Sequence, residues 1–142
     1  EEYFADVEKI RSQYDIHRVF LSSDDESAIT YAVTVHRDLE VIYLNAERRE
    51  FASNWFIEYR LEASMRSKAS MDVAMVADST MLDLMLLRDA DVLVGGFSSH
   101  LSRLALELST GEKGFVPPYV TLDVPYGMNG ALPPYAVRQI YN

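Results

Sequence analysis

The residues from Asp89 to Leu108 have types and an order that suit the holding of a phosphate. Asp91 to Val94 is apolar enough to predict a strand buried on both sides, Gly95-Gly96 predicts a tight turn, and Ser99 to Leu108 predicts a helix that opens on Ser98 and Ser99. The first N–H groups of a helix have no partner within it, and the helix dipole favours an anion there. A diphosphate would satisfy both demands, which makes this segment a candidate nucleotide site. Glycines at 95 and 96 remove side chains where the chain leaves the strand, permitting unusual backbone angles and the close approach of a ligand. The plainer alternative is that one serine caps the helix while Gly-Gly makes a turn. His100, in the first helical turn, suits a surface position as well as a ligand contact.

Two further places carry carboxylates that need explaining. Asp83 lies inside the apolar run Met81 to Leu87. Burying it without a partner would cost several kcal/mol, on the order of 3 or more, so it must be paired or reach the surface. One chemically apt partner is a guanine, whose N1–H and exocyclic amine form a fork that a carboxylate accepts with two hydrogen bonds. The alternative is a capping box, with Thr80 as N-cap and Asp83 returning to its backbone N–H. Asp24 and Asp25 divide in the same way, between catalytic or metal work and the start of a helix complemented by acids.

The elements that must position these groups alternate. Tyr3, Val7, Ile10 and Tyr14 recur at helical spacing and predict an amphipathic first helix. Arg18 to Ser22 predicts a strand, Ser23 to Ser27 an acidic capping turn, and the following residues a helix to about His36. Asp38 to Asn45 predicts a second strand, with a helical stretch around Trp55 to Met65, a loop at Ser67 to Ser70 and an apolar helix from Met75 to Leu87. Thr110 to Gly114 closes the Ser99 helix with a C-terminal glycine, and Tyr119 to Leu122, after Pro117-Pro118, predicts a last strand. Strands alternating with helices imply a doubly wound α/β arrangement with parallel pairing, in which ligands bind beyond the carboxyl ends of the strands. Trp55, Tyr59, Tyr119, Tyr126 and Tyr135 suit either a sugar platform or core packing.

Composition narrows the function class. The 142 residues suffice for one hydrophobic core, with 49% hydrophobic and 25% charged residues, as in a globular domain. A net charge of −9 with no clustered Lys and Arg argues against a nucleic-acid partner, although a local group of N–H donors can hold a diphosphate regardless. With no cysteine there is neither a disulfide framework nor a thiolate metal site, and no apolar run approaches the ~20 residues of a membrane span. Opening on Glu1-Glu2 in what reads as a helix, the chain is expected to be an excised fragment.

The run Ser22-Ser23-Asp24-Asp25, then Leu82-Asp83 ahead of Ala90-Asp91, then Val94-Gly95-Gly96-Phe97-Ser98-Ser99 with Arg103, Ala105 and Glu107, resembles the C-terminal half of the α-1,6-fucosyltransferases. These enzymes, together with their rhizobial chitooligosaccharide relatives, transfer fucose from GDP-fucose with inversion. The likeness extends from Glu1-Glu2-Tyr3 to at least Leu108. It implies one domain over residues 1–142, a Rossmann-like parallel sheet flanked by helices, as in a GT-B-like nucleotide-binding part. It also implies that Asp83 reads the guanine, that Ser99, next to Ser98, lies near the β-phosphate, and that Asp24, Asp25 and Tyr3 match residues the family needs for activity. His100 stands where the family usually has glutamine, and Gly95-Gly96 stands where relatives vary.

The implied mechanism is electrostatic stabilisation of departing GDP as an oxocarbenium-like fucosyl centre forms, while an acid–base residue deprotonates the acceptor hydroxyl. No metal or cofactor is implied beyond the donor substrate GDP-fucose; the partner is a glycan acceptor, and placement in the Golgi lumen follows for a eukaryotic member. The family's His-x-Arg-Arg-x-Asp-Lys motif would lie just before Glu1, so these residues are expected to hold half a site. Other readings are a non-catalytic nucleotide- or glycan-binding α/β module, a protein O-fucosyltransferase, and an unrelated α/β domain that binds another anion at Ser98-Ser99.

Overall fold

The computed structural model describes residues 2–46, 73–123 and 140–141. The chain divides into two compact units, one made of Glu1–His17 with Leu84–Asn142 and the other of Arg18–Asp83. Helix α1 spans Glu2–Tyr14, strand β1 Arg18–Phe20, helix α2 Glu26–Val35, strand β2 Glu40–Ile42 and helix α3 Val73–Asp89. Strand β3 at Leu93–Gly95, helix α4 at His100–Lys113, and strands β4 at Tyr119–Thr121 and β5 at Ile140–Tyr141 complete the order. Helices and strands alternate through most of the chain, which is α/β.

In the Arg18–Asp83 unit, β1 and β2 pair in parallel with Val19 opposite Val41, and α2 is the crossover between them. Among its described residues, Ile29 and Ala32 on α2, Leu39 before β2 and Val76 on α3 are the buried apolar ones. Asp25 stands at the N-cap of α2 in extended conformation, and its carboxylate accepts the Ser27 N–H at 2.8 Å. The capping expectation for Asp25 is therefore met.

In the other unit β3 and β4 are parallel, with Val94 opposite Val120, so their carboxyl ends emerge side by side. The predicted parallel pairing holds for β1-β2 and β3-β4, while β5, a strand that the sequence reading did not predict, adds antiparallel to β4, and the described strands form two sheets, β1-β2 and β3-β4-β5. Leu84, Leu93, Phe97, Ala105 and Leu106 make the core of this unit, with Leu87, Leu101 and Tyr119 packed against it. Full burial of side chains such as Phe97 and Leu106 contributes about 1.5–3 kcal/mol each. Helix α4 runs past Gly111 and ends at Gly114, whose φ of 74° is the left-handed C-cap that favours glycine.

Helix α1 buries Phe4, Asp6 and Ile10, whereas the predicted Tyr3 and Tyr14 are largely exposed. Ile10 is buried and Val7 half-buried on the predicted face, Phe4 and Asp6 flank that face on its two sides, and Lys9 donates to the buried Asp6 at 2.6 Å. Helix α3 starts at Val73, so Thr80 lies mid-helix and donates its hydroxyl to the Val76 carbonyl. That removes the capping-box reading of Asp83, because Thr80 is not a helix terminus. Tyr119 packs its ring on Phe97 with centroids 5.3 Å apart. Trp55, Tyr59, Tyr126, Tyr135 and the segments predicted at Trp55 to Met65 and Ser67 to Ser70 lie outside the described residues. Among the described residues no helix is long and apolar enough to cross a membrane.

Candidate functional site

The loop after β3 is fixed from three sides. The Phe97 side chain is fully buried in the core, its carbonyl accepts a hydrogen bond from the Arg103 guanidinium of α4, and the Ser99 N–H donates to the Gly96 carbonyl at 3.1 Å. On the outer side the Phe97 N–H donates to Asp123 Oδ1 at 2.6 Å and the Ser98 N–H to Asp123 Oδ2 at 3.1 Å. The Ser98 hydroxyl also donates to Asp123 Oδ2, and the Thr121 hydroxyl to Oδ1 at 3.4 Å. The loop's N–H groups do converge on an anion, and that anion is a carboxylate of the same chain.

The glycines have a related explanation. Neither Gly95 nor Gly96 adopts a positive φ, so their need is for space and not for left-handed backbone. A Cβ on Gly95 would meet Ser102 Oγ at 2.8 Å, and one on Gly96 would meet Asp123 Oδ2 at 3.0 Å and the Tyr3 hydroxyl at 3.4 Å. The close approach expected at this turn is made by protein side chains. Asp123 was missed by sequence reasoning; the available signal was an acid just after a predicted strand, at the carboxyl end where ligands gather.

Tyr3 stands beside this group from α1. Desolvation of its phenol, and next the Asp123 charge, hold it above the usual tyrosine range, while the Gly96 N–H facing its oxygen works the other way. It stays protonated at neutral pH and can donate a hydrogen bond. Ser99 is the N-cap residue of α4 but makes no side-chain capping bond, and His100 is exposed at the first helical position.

Asp24, Asp25 and Asp83 belong to the other unit. The half-buried Asp83 carboxylate accepts the Ser22 hydroxyl at 2.8 Å, which ties the middle of α3 to the chain leaving β1. From there the acidic turn begins. The Asp25 N–H donates to Ser23 Oγ at 3.1 Å, and hydrogen bonding by Ser27, side chain first and then backbone, holds the Asp25 carboxyl below its ordinary value. Asp24 is exposed on the same turn. The site residues named from sequence therefore fall into two groups: Tyr3, Ser98, Ser99 and His100 around the loop after β3, and Asp24, Asp25 and Asp83 beyond the end of β1. Among the described residues no three His, Asp or Glu side chains gather as metal ligands. The chain matches no protein-family model and no curated protein.

Proposed function

We propose that the chain is the nucleotide-binding part of an inverting fucosyltransferase of Rossmann-like, GT-B-related fold, which takes GDP-fucose as donor and a glycan as acceptor. The observation that supports this reading is the pair of Phe97 and Ser98 N–H groups turned onto one anionic group at the carboxyl end of β3. A phosphate oxygen uses the same donors. Ser99 and His100 follow where the α4 dipole adds favourable potential for a diphosphate leaving group. The protonated Tyr3 supplies a further donor at this loop. Asp83, by the resemblance, accepts the guanine fork, and Ser22 orients its carboxylate. Asp25 fixes the turn that carries Asp24, the remaining member of the acidic pair.

Calorimetry with GDP tests the reading. GDP binds the folded chain, IDP, which lacks the exocyclic amine, binds more weakly, and Asp83→Asn lowers GDP affinity by about tenfold or more, the worth of a hydrogen bond to a charged group. Equal GDP affinity in a folded Asp83→Asn protein removes the guanine role. A non-catalytic nucleotide- or glycan-binding module is the second reading. It predicts nucleotide or glycan binding without transfer of fucose to chitooligosaccharide, N-glycan or protein acceptors.

A further inference from the structure

Asp123 does more at this loop than fill space. Its two oxygens take the Phe97 and Ser98 N–H groups and the Ser98 hydroxyl, and the buried Thr121, on the strand that delivers it, bonds the same carboxylate. The absence of a side chain at Gly96 leaves the room it occupies. An incoming phosphate needs these donors and carries the same sign of charge, so the two anions repel and cannot share them at low cost.

We infer that Asp123 is a displaceable internal anion that sets the affinity of the Phe97–Ser98 loop for diphosphates. A ligand must expel the carboxylate before it can bind, so the resident acid weakens the binding of anions at this loop. The donors meanwhile stay paired in the empty protein, which keeps the loop in its binding shape. The inference rests on the anion-binding reading above and adds to it the residue that opposes binding.

Inorganic pyrophosphate is the probe, titrated by calorimetry into the wild-type chain and into Asp123→Ala. Removing the carboxylate frees both N–H groups, and pyrophosphate is expected to bind Asp123→Ala about tenfold tighter or more. Equal or weaker binding by a folded Asp123→Ala protein overturns the inference and leaves the anion site standing. No pyrophosphate binding by either protein overturns both. Should Asp123→Ala not fold, the wild-type protein still decides: the NMR resonance of the Asp123 carboxyl carbon is expected to move as pyrophosphate saturates the loop. Saturation with that resonance unchanged overturns displacement.

Discussion

The carboxylate of Asp123 acts on the phenol of Tyr3 beside the loop after β3. Because partial desolvation of the phenol, and next the Asp123 charge, raise the Tyr3 pKa in the folded protein, the unfolded chain loses that proton first as pH rises. The favourable contribution is therefore complete below the ordinary tyrosine value of about 10 and is lost as pH climbs through the raised folded value. Tyr3→Phe is expected to shallow the alkaline fall in stability, read as the urea midpoint at successive pH values. An alkaline limb identical to wild type would show that Tyr3 does not titrate against Asp123. At the same scale Asp25 was legible, because an N-cap acid interacts with an N–H two residues on. Asp123 was not, because its partners lie 25 and 26 residues away.

At the scale of elements, the contact between β3 and α4 depends on a missing side chain. The Cβ of Gly95→Ala would lie 2.8 Å from Ser102 Oγ and 3.1 Å from Ser102 Cβ, so helix and strand must separate slightly. Overpacking of this kind costs about 1–3 kcal/mol. Denaturant unfolding of a double-mutant cycle is expected to show part of that cost recovered in a Ser102→Ala background, since the nearest atom is then gone. Equal costs in both backgrounds would place the strain elsewhere. Periodicity located α1, α2 and α4 within a few residues and the inward face of α1 at Val7 and Ile10, yet Tyr3 and Tyr14 near the helix ends are exposed and the polar Asp6 is buried. Aromatic spacing reports which side chains are able to pack, whereas burial is decided by what lies opposite. For α3, Thr80 was equally suited to a terminus by type, and only the continuation of the helix back to Val73 makes it an interior residue.

For the whole molecule the dominant quantity is its charge of −9, which opposes the approach of any phosphorylated ligand. Raising ionic strength from about 10 mM to about 150 mM shortens the screening length from about 30 Å to about 8 Å. Stopped-flow association of GDP is expected to quicken with salt, by up to about tenfold. A rate that falls with salt would mean that a local positive potential outweighs the net charge. The sequence by itself determined the α/β alternation, the helix-capping turn at Asp25 and the position of a donor-rich loop after a buried strand. These follow from the side-chain preferences of residues close together in the chain. Only the tertiary structure decided what fills that loop and what holds Asp83, because the parallel register of β3 and β4 brings Asp123 onto Phe97 and Ser98, and packing within the other unit brings Ser22 onto a residue 61 positions away. Such partnerships depend on which strands lie side by side, and no local pattern of residue types encodes that adjacency.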